Sequence, residues 1–337
     1  MKGGGAPIAI VGAGGWGTAL SVHLARIGHE VRLWGRDARL IETLRATREN
    51  SSYLPGVALP EAVRPESLLE PTLGDVKYVV LAVPSHGFRA VARAIARVTP
   101  ADAIVVSATK GIEAESLRRM SEILAEEIGQ SRRIVVLSGP TFAAEVAQGL
   151  PSVAVAASRD AAAVASVQEQ FRGAAFRLYG SDDVAGVEIG GAMKNIIAIA
   201  AGVVEGLGLG HNSMAALITR GLAEISRLAA ALGGRRDTLA GLSGLGDLVL
   251  TCTGDRSRNR QVGIQLGRGC SLDEILRDMR MVAEGVRTTG AALALGERHG
   301  IELPITAQMA AVLDGHRSPR EAVEALMGRK QRHEVDS

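Results

Sequence analysis

The sequence predicts a doubly wound parallel α/β sheet followed by an all-α domain, and three observations carry that reading. Short apolar, β-branched runs alternate with helical patterns over the first half of the chain. A glycine-rich turn separates the first run from the helix behind it. After Tyr179 no further strand-like run bounded by turns appears, and the pattern becomes long Ala/Leu/Ile-rich helices broken by glycines. The division is expected at residues 1–181 and 182–337.

The first run, Pro7-Ile8-Ala9-Ile10-Val11, is apolar throughout, as a strand buried on both faces is. It ends in Gly12-Ala13-Gly14-Gly15-Trp16-Gly17, and a helical pattern continues from Thr18 to Ile27. Between strand and helix, a GxGxxG run has the context of a dinucleotide fingerprint. Gly12 permits the tight turn, Gly14 lets the backbone approach a pyrophosphate, and Gly17 allows close helix packing, while the helix N-terminus faces the negative charge. The second strand, Glu30 to Trp34, leads into Gly35-Arg36-Asp37. Arg36 suits the 2′-phosphate of NADPH, and Asp37 keeps NADH open as the alternative.

Further runs at Tyr78 to Val83, Ala103 to Ser107, Ile134 to Leu137 and Val153 to Ala157 extend the sheet with right-handed crossovers. Ligands of such sheets bind beyond the carboxyl ends of the strands, so the following loops matter. His86 reads as a loop-capping histidine. Lys110 stands where a cation faces both cofactor and substrate, or is a solvated loop lysine. Gly139 and Thr141 offer backbone and hydroxyl donors.

The helical part holds Gly190-Gly191-Ala192-Met193-Lys194-Asn195 at the head of an apolar run reaching Val204. A lysine there is expected to be desolvated, which lowers its proton affinity and suits it to acid–base work near neutral pH. By residue type alone a lysine at the rim of a core helix is the commoner outcome. Asp247 follows a flexible glycine turn, Leu242 to Gly246. Ser257 reads as an N-cap, with Arg258 and Asn259 in the first turn as an anion anchor or as an ordinary capped helix start.

Composition narrows the classes. With 38 Lys+Arg against 36 Asp+Glu and aromatics at 3%, neither a basic stripe nor stacking rings point to nucleic acid. Cys252 and Cys270 lack the spacing of a disulfide or zinc framework, so a reducing cytoplasmic compartment and no metal are expected. The apolar run from Ile196 stops at Glu205, short of the ~20 residues of a membrane span, so no integral membrane association is expected. The first six residues show no signal-peptide pattern.

Taken in order, GAGGWGTA, the YLPG from Tyr53 to Gly56, SGPTFAAE, GAMKN, AALITRG, GLSGLGDLVLTC and SRNR resemble the bacterial-type NAD(P)-dependent glycerol-3-phosphate dehydrogenases, from Gly12 to about Arg317. That resemblance implies a Rossmann domain joined to a helical domain, and interconversion of dihydroxyacetone phosphate and glycerol 3-phosphate with Lys194 as proton donor and acceptor. It implies substrate contacts from Lys110, Gly139, Thr141, Lys194, Asp247, Ser257, Arg258 and Asn259. Gly15, Trp16, Arg36, Lys110, Ala143, Arg258, Val282 and Glu284 match cofactor-lining positions. A homodimer that feeds glycerophospholipid synthesis is implied too. Two positions depart from the pattern: Gly15 replaces a common Ser, and Met214 a common cation. Rival readings are a dehydrogenase of a 3-hydroxy acid or sugar acid, and a non-catalytic dinucleotide sensor.

Overall fold

The computed structural model describes residues 7–279, 283–331 and 333. The chain opens with β1 (Ile8–Val11), α1 (Gly15–Arg26), β2 (Val31–Trp34) and α2 (Ala38–Thr47). A short hairpin follows, β3 (Glu49–Asn50) with β4 (Leu54–Ala58), then β5 (Val63–Glu66), α3 (Leu69–Leu73), β6 (Tyr78–Leu81) and α4 (Phe88–Ile95). Next come β7 (Ile104–Ser107), α5 (Met120–Ile128), β8 (Arg133–Ser138), α6 (Ala143–Gln148), β9 (Ser152–Ala157), α7 (Ala161–Phe171) and β10 (Phe176–Ser181). Helices then take over: α8 (Val184–Gly206), α9 (Gly210–Ala231), α10 (Arg236–Ala240), a π turn (Leu242–Gly246), α11 (Asp247–Thr253) and α12 (Arg258–Gly267). The remaining helices are α13 (Leu272–Asp278), α14 (Glu284–Arg298), α15 (Pro304–Leu313) and α16 (Pro319–Met327).

Eight strands form one sheet in the order β10-β9-β8-β7-β6-β1-β2-β5. Strand periodicity decides what each face buries, because successive side chains point to opposite sides. Ile8 and Ile10 of β1 join a core with Leu20 and Leu24 of α1. Ala9 and Val11, on the other face, join Phe88 and Ile95 of α4 and Ile123 of α5. A strand with both faces covered must be apolar at every position, which is why these runs read as continuous rather than alternating.

One departure from the all-parallel expectation stands out: β9 pairs antiparallel with β8, while β10 runs parallel to β9. A run such as Ser-Val-Ala-Val-Ala-Ala buries well in either direction, so its sequence carries no signal of polarity. The connection through short α6 turns the chain back instead of making a full crossover.

The chain reverses its order across β1, with β2 on one side and β6 on the other. Such a switch point opens a crevice at the carboxyl ends of the strands. Here the loops after β1, β6, β7 and β8 converge.

The second core surrounds α8, in which every residue over 186–204 is buried. A helix apolar on all sides must be wrapped by others, and α9, α11, α12 and α14 all pack on it. Glycines set the closest crossing: a Cβ on Gly202 would lie 2.0 Å from the carbonyl of Arg260, and one on Gly263 1.9 Å from that of Ile199. By length and composition α8 is apolar enough to cross a membrane, but it lies wholly inside the protein.

Candidate functional site

Lys194 lies in the middle of α8, 7% exposed, and Asp247, the first residue of α11, is fully buried. Lys194 Nζ donates to Asp247 Oδ1 at 2.5 Å and to Thr251 Oγ1 at 2.8 Å. The other carboxylate oxygen, Oδ2, accepts from Lys110 Nζ at 2.6 Å, and the same ammonium donates to the carbonyl of Gly139 at 3.0 Å. Two cations therefore share one anion. Burial pushes the proton affinity of Lys194 down to about 8; Asp247 opposes that shift and Lys110 adds to it. Cys252, next to Thr251, is no thiolate in this setting, because burial raises its thiol to about 12.

Local sequence makes this meeting possible. Gly191 on α8 leaves room for the loop after β7: a Cβ there would stand 2.7 Å from Ser138 Oγ and 3.5 Å from Lys110 Cγ. The Thr141 hydroxyl turns back to the Gly139 carbonyl at 3.3 Å, closing the loop after β8.

On the cofactor side, the glycine loop has the shape its spacing predicts. Gly12 adopts φ +125°, and a side chain there would strike the Ala82 carbonyl at 2.5 Å. Gly17 lets α1 approach within a distance that any Cβ forbids, 1.9 Å from the Gly12 carbonyl. Nothing lies within 4 Å of a Cβ placed on Gly14, and this N-cap supplies no side chain to the first amides of α1. A pyrophosphate fits that arrangement: amides aimed outward, open space above them, and the positive end of the helix dipole. Trp16 packs against the core beside α1, and Ala143 opens α6. At Gly15 a side chain would meet the Tyr53 carbonyl at 2.9 Å, so the departure from serine goes with a close approach of the β3–β4 turn.

Beyond β2, Asp37 caps α2 by accepting from the amides of Arg39 and Leu40 at 3.0 and 3.4 Å. Arg36 beside it is exposed.

A third group joins α8, α12 and α14. Asn259 Nδ2 donates to Asn195 Oδ1 at 3.0 Å, and its Oδ1 accepts from the amide of Gly285 at 2.9 Å. Ser257 caps α12 by accepting from the amide of Arg260 at 3.2 Å, as its position predicts. Arg258 reaches the surface, yet desolvation lowers its proton affinity while the Glu284 carboxylate opposes that shift. Glu284 crosses to the sheet domain, accepting from the Ser85 amide at 3.2 Å and from the Ser85 hydroxyl at 2.5 Å. Val282 lies outside the described residues. Met214, one of the two departures from the family pattern, packs on the helical core by apolar contact.

The structure thus brings Lys110, Gly139, Thr141, Lys194 and Asp247 into one contact network and gathers Ser257, Arg258, Asn259 and Glu284 at the neighbouring helix ends. Sequence reading gave no role to Thr251, Asn195, Asn50 or Ser85. Thr251 follows Asp247 by one helical turn, a spacing that puts both on one face. Asn50 is fully buried, donating to the Ala13 carbonyl at 3.0 Å and to Thr18 Oγ1 at 2.7 Å, and so ties the hairpin to the glycine loop. No local pattern announces such a long-range bond. Among the described residues no His/Cys/Asp/Glu group is arranged to hold a metal ion.

A dinucleotide loop facing a buried lysine–carboxylate pair across two domains defines a two-domain, nicotinamide-dependent dehydrogenase. Family models agree: residues 7–164 match the N-terminal and residues 183–324 the C-terminal region of NAD-dependent glycerol-3-phosphate dehydrogenase. A glycerol-3-phosphate dehydrogenase [NAD(P)+] from Xanthomonas euvesicatoria is 48% identical over 97% of this chain and 96% of its own. The enzyme of that name from Moorella thermoacetica is 49% identical over 98% of each. The crystal structure of glycerol-3-phosphate dehydrogenase from Coxiella burnetii superposes with a TM-score of 0.93 at 41% identity, covering 96% of this chain and 99% of that one. A ketopantoate reductase from Ralstonia eutropha, at 18% identity and a TM-score of 0.60 over 94% of this chain and 99% of its own, shares the fold alone. This chain belongs to the NAD-dependent glycerol-3-phosphate dehydrogenase family.

Proposed function

We propose that the chain catalyses the reversible NAD(P)H-dependent reduction of dihydroxyacetone phosphate to sn-glycerol 3-phosphate, with Lys194 as the proton donor. The observation that carries this reading is the single buried carboxylate of Asp247 shared by the ammonium groups of Lys110 and Lys194. A nicotinamide held over the glycine loop supplies the hydride. The chain's own groups handle the charge that develops on the carbonyl oxygen. Lys194 stabilises that oxygen and gives it a proton, and its lowered proton affinity makes the transfer feasible near neutral pH. Lys110 adds a second positive charge on the same side, and Asp247 holds both side chains in place. Thr251 fixes the direction of the Lys194 ammonium.

Arg258, with the first amides of α12 and the remaining N–H of Asn259, anchors the substrate phosphate away from the reacting carbon, so that remote binding energy positions the carbonyl. Gly139, Thr141 and Ser257 complete the substrate side. Gly15, Trp16, Arg36, Ala143 and Glu284 line the cofactor. NADPH is the preferred donor: Arg36 is exposed for a 2′-phosphate, while one oxygen of the neighbouring Asp37 carboxylate caps α2. The domain boundary falls at residues 181/182, between the last strand and the start of α8. A cytoplasmic homodimer that feeds glycerophospholipid synthesis is the setting we propose.

Initial rates of nicotinamide oxidation test this reading, measured with dihydroxyacetone phosphate and unphosphorylated dihydroxyacetone, each with NADPH and NADH. The expected result is a rate that requires the phosphate and is faster with NADPH. Arg258→Ala is expected to reduce kcat/KM for the phosphorylated substrate by roughly 10- to 100-fold, as loss of a charged hydrogen bond does. Tight cofactor binding with no turnover would favour the sensor reading.

A further inference from the structure

We infer that Glu188 is a positioning residue for the reaction: its carboxylate clamps the segment between Lys110 and α5 onto α8 and thereby holds the two site lysines in register. The inference rests on the role proposed above for Lys194. Glu188 lies on α8, 6% exposed, at the seam between the two domains. One oxygen accepts from Arg119 Nη1 at 2.7 Å and from Ser121 Oγ at 2.6 Å; the other accepts from the Ser121 amide at 2.8 Å. Ser121 is the second residue of α5, so a carboxylate from the helical domain satisfies an end amide of a helix in the sheet domain.

The connection back to the lysines is short and closed. Arg119 forms an isolated β-bridge with Ile112, and the amide of Glu113 donates to the carbonyl of Arg118 at 3.0 Å, so residues 112–119 make a tied loop. Ile112 is 3% exposed and buried in the core around α8, and Leu117 packs against the same core. Lys110 is two residues before Ile112. A ring is thus complete: Glu188, Arg119, Ile112, Lys110, Asp247, Lys194, and back along α8 to Glu188. Lys110 belongs to the sheet domain in sequence but is held to the helical domain by this loop.

A buried carboxylate is an expensive way to join two elements, because apolar replacements of buried ion pairs are often neutral or stabilising. Burial indeed raises the proton affinity of Glu188, with Arg119 opposing that shift and Glu122 adding to it. Directional hydrogen bonds to an amide, a hydroxyl and a guanidinium provide what apolar contact does not, a single register. The charged and titratable groups facing Lys194 are Lys110, Asp247 and Cys252. If the clamp is released, Lys110 recedes and its repulsion of the Lys194 ammonium weakens.

The test is steady-state kinetics on the full-length enzyme across pH, with cofactor affinity and melting temperature measured alongside. Glu188→Ala is expected to lower kcat by roughly 10- to 100-fold, the upper figure being what a misplacement of about 1 Å can cost, to shift the pH midpoint of the rate upward, and to leave cofactor affinity unchanged. Glu188→Gln, whose one carbonyl oxygen can still accept from Arg119 and the Ser121 hydroxyl but whose NH2 cannot accept from the Ser121 amide, is expected to recover part of kcat and to move the midpoint back toward the original. A Glu188→Ala enzyme whose only change is a lower melting temperature overturns the inference. Should that variant fail to fold, Ser121→Ala decides: reduced kcat with an upward midpoint supports the clamp, and wild-type values for both overturn it. Lys194→Ala run in parallel separates the two ideas, since turnover surviving there removes the proton-donor reading itself.

Discussion

Two clusters of acids and bases in this protein use similar contact distances to opposite ends. On the surface, Arg89 and Arg93 of α4 meet three glutamates: Arg89 reaches Glu113 at 2.7 Å and Glu126 and Glu127 at 2.8 Å, and Arg93 reaches Glu127 at 2.9 Å. Every charge there has an opposite neighbour and access to water, so the charged forms win. Hydrogen bonds from Arg93 and then Arg89 hold the Glu127 carboxyl down to about 2, far from neutral pH. In the Lys110–Asp247–Lys194 cluster two cations share one anion, with Lys194 and Asp247 buried and Lys110 half-buried beside them. Desolvation leads, and Lys194 falls to about 8, within reach of physiological titration. What separates an ion pair that only binds from one that can move a proton is burial and charge count, not contact length.

The comparison can be broken at its strongest point by Lys194→Ala. Removing the titrating group is expected to reduce turnover by about 10²- to 10⁴-fold, the usual contribution of a positioned acid, with cofactor binding preserved in a fluorescence titration. Persistent turnover would show that the buried cluster is structural like its surface counterpart.

A second effect follows from Asp247, the one anion in the buried set. In the wild type, the reduction rate is expected to fall as pH rises through about 8, because Lys194 must carry the proton it gives. The oxidation rate should rise over the same range. Asp247→Asn removes the group that favours the Lys194 charge, so both profiles should move to lower pH. The same variant leaves the buried Lys194 and the half-buried Lys110 without their anion and is expected to lose about 3–5 kcal/mol of stability in urea unfolding. A profile that stays in place would mean that desolvation alone sets the proton affinity.

The smallest effect belongs to the surface cluster. Glu127 has its native carboxyl shifted from 4.5 to about 2, so its stabilisation is present above 4.5 and fades as pH falls toward about 2. Arg93→Ala should narrow that acid tolerance slightly and leave kcat, KM and their pH dependence at wild-type values. Any movement of the catalytic profile would link the two clusters in a way that the geometry does not suggest.

Much of this architecture was legible in the chain. Continuous apolar runs mark strands buried on both faces, and a glycine pattern between the first run and its helix requires a backbone that no side chain allows, as at Gly12 and Gly17. Lys194 by residue type alone reads as a rim lysine, and only its place in GAMKN among the other motifs, in their order, singled it out. The direction of β9 was not, since an apolar strand reads alike both ways. Nor was the cap that one oxygen of Asp37 makes on α2, which fixes where that carboxylate sits beyond β2.

By itself the sequence determined which elements form, where strands give way to helices, and which residue types are available for chemistry, because propensity, periodicity and glycine geometry are local properties. Only the tertiary structure decided that Lys110 and Lys194, 84 positions apart by their numbers, share the carboxylate of Asp247. It likewise decided that Glu188 ties one domain to the other. Proton affinity depends on which charges meet and how much water remains around them, and neither is a property of a residue's immediate neighbours in the chain.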